Sequence, residues 1–275
     1  MQRLLTAAVA TPLALLALFY LPHLWWFILV AVIVELAVFE FLAIVRSRAP
    51  HAPLKPMLLL VPLAAVAMSA SMIPGGFDPE AHLLLAAAAM SVGAGSLVLL
   101  GRTPLEEAIP ALGILAFGIP YFAVPIASMH HLQRADPWLV FLLFAIVWLG
   151  DTAAYYIGSR FGRHKMAPVI SPKKSWEGAA AGFVTSLLAA AVWSLWRLER
   201  LDLRLLGLAA AVAVAAQVGD LIESMIKRSA GVKDSGNILP GHGGALDRID
   251  ALLFAAPVML IGLWLLGIDG IAIPR

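Results

Sequence analysis

The sequence predicts an all-α polytopic membrane protein, and three features support this prediction. Of its 275 residues, 61% are hydrophobic and 13% are charged, whereas soluble domains have about 45–50% apolar and about 25% charged residues. The mean hydropathy is +0.91. Long apolar runs also recur along the chain and are separated by Pro and Gly. Because lipid cannot satisfy free backbone N–H and C=O groups, each run is expected to be a helix.

Nine apolar runs are long enough to cross the hydrocarbon core, which takes about 20 helical residues. They cover residues 4–21, 24–45, 57–74, 80–100, 108–129, 137–158, 178–196, 203–225 and 247–268. The first five runs define an N-terminal transmembrane region, residues 1–135. The other four belong to a C-terminal region, residues 136–275, which is expected to be catalytic because the polar residues gather there.

The distribution of basic residues predicts the orientation. With a cytoplasmic N-terminus, most of the 19 Lys and Arg residues fall in cytoplasmic segments, as the positive-inside rule requires. Nine crossings then place the C-terminus outside. Arg197, Arg200 and Arg204 in an outside turn are the exception, partly balanced by Glu199 and Asp202.

Composition also excludes several classes of protein. The chain has no Cys, so it has neither disulfides nor thiol chemistry. A net charge of +2 is too small to indicate a nucleic-acid partner. No internal repeat is visible, which disfavours an inverted-repeat transporter. Small-residue runs at 86–89 and 179–181 are suited to helix contacts, and they leave a homodimer open.

Two longer loops, residues 159–177 and 226–246, are predicted on the cytoplasmic side. Asp151 lies just before the first loop, within an apolar helix. An unpaired carboxylate there is costly, so intramembrane acids indicate function more often than structure. A structural ion pair with a buried Lys or Arg is the alternative.

A polar stripe precedes the second loop. Gln217, Asp220, Ser224 and Lys227 follow at spacings of 3, 4 and 3 residues, which places them on one face of a helix. Such a stripe suits a metal ion and phosphate oxygens. A helix end with an i,i+4 ion pair between Glu223 and Lys227 explains the stripe equally well.

The second loop favours the functional interpretation. Residues 231–244 contain five glycines, which let backbone N–H groups approach an anion closely. Asp247 and Asp250 then open the last helix, where they would also favour its positive N-terminus. Asp220 and Asp247 bracket this loop, and two such carboxylates near phosphate-binding groups suit Mg²⁺-dependent phosphoryl or nucleotidyl transfer.

The first loop adds cations, because Lys173 and Lys174 stand just before Trp176. Lys beside Trp is typical of a membrane-interface anchor, and it equally suits a lipid phosphate or a triphosphate. Glu35 and Glu40 lie within the second apolar run, and both are expected to pack against a neighbouring helix rather than take part in catalysis.

Three segments resemble the phosphatidate cytidylyltransferases, or CDP-diacylglycerol synthases. The most specific covers residues 224–250 and contains the sequences SMIKR, KDSG and LPGHGGALDRID. The other two are residues 150–155, GDTAAY, and 171–178, SPKKSWEG. Residues 1–135 resemble the family mainly in hydropathy.

The resemblance implies that the protein transfers CMP from CTP to phosphatidic acid, giving CDP-diacylglycerol and pyrophosphate. It implies Mg²⁺ as cofactor, with a second metal ion open, and an active site at the cytoplasmic face of a bacterial inner membrane. The residues expected to be catalytic are Asp220, Asp247, Lys227 and Arg248. Those expected to bind metal are Asp220, Asp247, Asp151 and Asp250. Those expected to bind substrate are Lys173, Lys174, Ser175, Ser224, Arg228, Lys233, Asp234, His242, Gly243 and Gly244.

Other functions remain open at this point. A CTP-dependent lipid kinase would release CDP rather than pyrophosphate, and a related cytidylyltransferase would use another lipid phosphate. A membrane transporter would move substrate across vesicles without consuming CTP.

Overall fold

The computed structural model describes residues 2–71, 92–236, 243–268 and 271, and this part of the chain is mostly helical. The helices are α1 (Gln2–Tyr20), α2 (His23–Val45), α3 (Met57–Ser71), α4 (Leu105–Ala135), α5 (Pro137–Phe161), α6 (Trp176–Arg197), α7 (Leu203–Ser229) and α8 (Leu246–Leu266). Residues 92–100 are also helical. The predicted all-α architecture is confirmed.

Six of the described helices, α2 and α4 to α8, are long and apolar enough to cross a membrane. The chain is therefore an integral membrane protein. The apolar parts of α1 and α3 are shorter, Thr11–Tyr20 and Met57–Ser69. Much of the predicted fourth span, residues 80–91, lies outside the described residues. The total of nine spans stays a prediction.

Ion pairs hold the three arginines that the predicted orientation places in an outside turn. Arg197 lies 2.8 Å from Asp136, and both Arg200 and Arg204 lie within 3.3 Å of Asp202. Asp202 also caps α7, because its Oδ1 accepts the backbone N–H of Arg204 at 2.9 Å. The hydrogen bond from the Arg204 side chain lowers the pKa of Asp202. Each arginine in this turn thus has a carboxylate partner, and Arg200 and Arg204 share Asp202.

The segment between α5 and α6 forms an antiparallel hairpin of β1 (Lys165–Ala167) and β2 (Ser171–Ser175), where the sequence predicted only a loop. Its base is held by Glu177, which accepts hydrogen bonds from the His164 backbone N–H at 3.1 Å and contacts its Nδ1 at 2.6 Å. Strand β2 runs directly into α6. The hairpin is therefore fixed to the start of that helix.

Helices α5 and α6 pack closely because glycines lie at their contact. A Cβ at Gly182 would lie 2.8 Å from the Gly150 carbonyl oxygen, and one at Gly178 would lie 2.7 Å from the Ala154 carbonyl oxygen. Small residues allow two helix backbones to approach in this way. The small-residue run at 179–181, which was predicted to suit helix contacts, thus lies beside the contact between α5 and α6 of the same chain.

We expect Gly182→Ala to lower the thermal midpoint of the detergent-purified protein, because the new methyl group meets backbone that must move. Overpacking of this kind costs ~1–3 kcal/mol. Gly207→Ala in α7 is the matched control, since a Cβ there meets nothing within 4 Å. That change should leave stability equal or raise it by up to ~1 kcal/mol, because Ala favours helix over Gly. Equal losses for the two variants would contradict the close α5–α6 contact.

Candidate functional site

A cavity of about 750 Å³ lies between α5, the hairpin, α6, α7 and the start of α8. It is lined by charged and polar side chains from each of these elements. The polar lining residues are Asp151, Tyr155, Ser159, Lys165, Lys173, Lys174, Ser175, Gln217, Asp220, Glu223, Lys227, Asp247 and Asp250. Acidic and basic residues from both predicted polar loops and their flanking helices therefore face one space.

Three carboxylates form the acidic centre of this cavity. One oxygen from each of Asp220, Glu223 and Asp250 lies within 4.8 Å of the other two. Asp220 and Glu223 are three residues apart on α7, so they share a helix face. Asp250 lies on α8, which approaches α7 at Gly219, where a Cβ would lie 2.8 Å from the Asp250 carbonyl oxygen. The close helix contact brings the acids together.

Glu223 is the least accessible of these acids, with 1% of its surface exposed. Its Oε2 lies 2.7 Å from Lys227 Nζ, an ion-pair distance. Neither of its oxygens has a partner of hydrogen-bond geometry among the described residues. A buried carboxylate is normally fully hydrogen-bonded, so Glu223 retains unused acceptor capacity towards the cavity.

Lys227 links the acidic group to the last helix. Its Nζ lies 2.7 Å from Glu223 Oε2 and 2.5 Å from Asp247 Oδ1. The Lys227 side chain is 10% exposed, and that of Asp247 is 13% exposed. Little water screens these ion pairs, so each charge depends strongly on its partner.

Asp247, a predicted metal ligand, is already surrounded by donors. Besides Lys227, its Oδ2 accepts the backbone N–H of Ser235 at 3.1 Å and that of Gly244 at 2.9 Å. It lines the same cavity as Asp220. In this arrangement Asp247 fixes Lys227 and the ends of the glycine-rich loop.

Three described glycines of that loop, Gly236, Gly243 and Gly244, lie against carboxylates of the chain itself. Gly243 has φ +78°, and a Cβ there would lie 2.6 Å from Asp247 Oδ2. A Cβ at Gly244 would overlap the Glu40 carboxylate. The sequence predicted backbone N–H groups that receive a ligand phosphate, and the structure directs the Gly244 N–H to Asp247.

The hairpin contributes further cations to the cavity. Lys174 Nζ lies 2.6 Å from Asp220 Oδ2, and Lys165 and Lys173 also line the cavity. Ser175, predicted to bind substrate, caps α6 through a 3.2 Å hydrogen bond from the Gly178 N–H. Its hydroxyl oxygen is therefore already used as an acceptor.

Several predicted site residues are not among the described cavity residues. Arg228 donates instead to the carbonyl oxygens of Ile170 at 3.2 Å and Val232 at 3.0 Å, which ties the hairpin to the segment after α7. Ser224 donates to Asp220 Oδ1 at 3.4 Å. Exposed residues in this group are Lys233, Asp234 and Arg248. His242 lies outside the described residues.

The sequence indicated smaller roles for Glu223 and Glu40 than their contacts in the structure support. Glu223 was explained by its i,i+4 pair with Lys227, which exists but is only part of its environment. Its three-residue spacing from Asp220 was the available signal. Glu40 packs against a neighbouring helix, as expected, and its carboxylate also accepts hydrogen bonds from Ser235 and the start of α8.

The acidic group fits a hard divalent cation. Mg²⁺ prefers carboxylate oxygens, and Asp220, Glu223 and Asp250 offer three such oxygens within reach of one another. Oε1 of buried Glu223 has no hydrogen-bond partner among the described residues, and Oε2 has only the ion pair with Lys227, which supplies a further reason. Asp151 lines the same cavity and adds a fourth carboxylate nearby.

Lys227→Met should be strongly destabilising, because it leaves Glu223 and Asp247 without their shared cation. Removing one partner of a buried ion pair costs on the order of 3–5 kcal/mol. The measurement is the thermal midpoint in detergent, with Lys233→Met as a control because Lys233 is exposed. A midpoint for Lys227→Met equal to that of the control would show that the bridge contributes nothing.

Comparison with known proteins places these features in a family. The sequence model of the cytidylyltransferase family matches residues 1–266. A phosphatidate cytidylyltransferase of Haemophilus influenzae is 39% identical over 165 residues, which cover 57% of this chain and 56% of the relative. One of Staphylococcus epidermidis is 45% identical over 141 residues, covering 50% and 54%.

A third relative aligns over a longer stretch. The phosphatidate cytidylyltransferase of Staphylococcus aureus is 37% identical over 207 residues, which cover 72% of this chain and 77% of the relative. In the first two alignments the chain spans just over half of the relative's length. The resemblance seen in the sequence is confirmed.

Proposed function

Because the chain belongs to the cytidylyltransferase family, we propose that it is the enzyme that transfers CMP from CTP to phosphatidic acid, for phospholipid biosynthesis. The observation that carries the proposal is the group of Asp220, Glu223 and Asp250 beside the cations of one cavity. An acidic group that fits Mg²⁺, with Lys side chains around it, suits a polyphosphate substrate. The printed names of the relatives supply the choice of CTP and phosphatidate.

In the proposed reaction, a phosphate oxygen of phosphatidic acid forms a new bond to the α-phosphorus of CTP. The bond from that phosphorus to the oxygen bridging to the β-phosphate breaks, and pyrophosphate leaves with the electron pair. The attacking phosphate monoester is already an anion at neutral pH, so no strong general base is needed. Positioning and charge neutralisation then provide most of the rate.

The chain's own residues fall into two roles in this proposal. Asp220, Glu223 and Asp250 would hold Mg²⁺, with Asp151 close by, and bound Mg²⁺ would supply neutralisation of triphosphate charge. Asp247, first expected to be a metal ligand, is proposed to orient Lys227 instead. The number of metal ions stays open in the proposal.

The cations complete the binding of the two anionic substrates. Lys165, Lys173 and Lys174 on the hairpin and Lys227 on α7 all line the cavity that holds the acidic group. Lys174 and Lys227 are each paired with a carboxylate now. A bound metal would compete for Asp220 and free Lys174 to contact phosphate oxygens.

The function is tested with protein purified in detergent, CTP labelled at the α-phosphate, phosphatidic acid and Mg²⁺. We expect the label to enter the lipid phase as a CDP-lipid and unlabelled pyrophosphate to be released. Asp220→Asn and Glu223→Gln should each lower turnover at least ~100-fold, because each removes a negatively charged oxygen ligand from the acidic group. Glu106→Gln, exposed in the first turn of α4, is the matched control.

Other products would overturn the proposal. Release of labelled CDP with an unlabelled lipid product would indicate a lipid kinase. CTP left intact while substrate crosses vesicle membranes would indicate a transporter. Normal Mg²⁺-dependent turnover in both acidic variants would contradict the metal assignment.

We also propose a cytoplasmic N-terminus, an outside C-terminus and a cavity that faces the cytoplasm of a bacterial inner membrane. The hairpin and the turn at residues 198–202 are at opposite ends of α6, so they lie on opposite sides if α6 spans. All residues that line the cavity lie between positions 151 and 250, which supports residues 136–275 as the catalytic region. A homodimer stays a prediction.

The orientation can be tested directly because the chain has no Cys. Val169→Cys lies at the exposed turn of the hairpin, and Leu201→Cys lies in the turn after α6. With spheroplasts and a membrane-impermeant maleimide, Leu201→Cys should react in intact spheroplasts and Val169→Cys only after permeabilisation. The unmodified chain is the control without label. The reverse pattern would invert the proposed topology.

A further inference from the structure

We infer that Glu40, on a helix outside the proposed catalytic region, is a positioning residue that fixes the start of α8 and, through it, the acidic group. The inference rests on the proposed function for its activity readout. Glu40 is 3% exposed and lies one and a half turns before the end of α2. A carboxylate buried to this extent is costly unless its oxygens are satisfied.

Three donors from the catalytic region satisfy Glu40. The Ser235 hydroxyl donates to Oε2 at 2.7 Å, the Ala245 N–H donates to Oε1 at 3.0 Å, and the Leu246 N–H donates to Oε2 at 2.9 Å. Helix α8 begins at Leu246, and its N-cap residue Ala245 has no side-chain acceptor. Glu40 therefore caps α8 from another helix, where the helix dipole also favours a negative charge.

The surrounding backbone is shaped to admit this carboxylate. A Cβ at Gly236 would lie 2.5 Å from Glu40 Oε1, and a Cβ at Gly244 would overlap Oε2. The described parts of the glycine-rich loop, residues 231–236 and 243–244, thus both approach Glu40. The two glycines are accounted for by this close approach.

From Glu40 a chain of contacts leads to the acidic group. The segments that it holds present the Ser235 and Gly244 N–H groups to Asp247. Asp247 in turn holds Lys227, and Lys227 contacts Glu223. Loss of the Glu40 contacts should therefore displace Asp247 and loosen the group that would bind Mg²⁺.

The decisive variant is Glu40→Gln, which keeps the size of the side chain but replaces one acceptor oxygen by an NH₂ group. In either orientation of the amide, that group would face a backbone N–H, of Ala245 or of Leu246, which has no acceptor to offer it. Glu35→Gln is the matched control, since Glu35 lies on the same helix and neither of its oxygens has a hydrogen-bond partner among the described residues. Glu40→Asp keeps the charge and should restore part of the function.

We expect Glu40→Gln to raise the Mg²⁺ concentration for half-maximal CDP-lipid formation roughly tenfold, the scale at which residues behind metal ligands act. The KM for phosphatidic acid should change less than about twofold. In the metal-free protein, hydrogen–deuterium exchange should speed up in peptides covering residues 243–249, because the Ala245 and Leu246 amides lose their acceptor. Glu35→Gln should shift neither quantity.

The outcomes separate the inference from the proposed function. A wild-type protein that forms no CDP-lipid overturns the function, while faster exchange in Glu40→Gln still supports the capping of α8. An active Glu40→Gln enzyme with a lower thermal midpoint but an unchanged Mg²⁺ requirement shows a purely structural role and overturns the inference. If Glu40→Gln does not fold, Ser235→Ala takes its place, because it removes one of the same contacts. An unchanged Mg²⁺ requirement of the Ser235→Ala enzyme would also overturn the inference.

Discussion

The candidate site depends on the Lys227 ammonium group, which lies between Glu223 of its own helix and Asp247 of the next. Two buried carboxylates on adjacent membrane helices would otherwise repel each other in a medium that screens charge poorly. The shared cation offsets this repulsion where α7 meets α8. It also leaves Glu223 with acceptor capacity that points towards Asp220 and Asp250, and so sets where a divalent ion can bind.

Much of the fold could be predicted because its cause is local. Apolar runs of sufficient length, ended by Pro or Gly, leave the backbone no alternative to helix in lipid, and the described helices α4 to α8 follow these runs closely. The hairpin could not be predicted. Residues 165–175 form a short segment interrupted by Pro168 and Pro172, and their pairing is fixed by contacts such as that of His164 with Glu177 at the start of α6.

The sequence indicated many residues of the candidate site but not which of them contact one another. Helical spacing placed Asp220 and Lys227 on one face, and the charges at the start of α8 were visible in the sequence. Which carboxylate receives which donor depends on how α7 meets α8, a long-range contact that spacing alone does not encode. The i,i+4 pair with Lys227 was therefore enough to explain Glu223 from the sequence. No hydrogen-bond donors to Asp247 could be identified there. Its real partners, Ser235 and Gly244, become neighbours only after the loop closes.

The glycine-rich loop illustrates how a correct pattern can have a different immediate cause. Glycines that admit an anion were expected to serve a substrate phosphate, and Gly236, Gly243 and Gly244 admit Glu40 and Asp247, which are acidic residues of the protein itself. Because Glu40 belongs to α2 and accepts the Ala245 and Leu246 N–H groups, α2 contributes to the geometry at the start of α8. The inferred path from Glu40 through Asp247 and Lys227 to Glu223 therefore couples the acidic group to the packing of α2, so the N-terminal region does more than anchor the chain in the membrane.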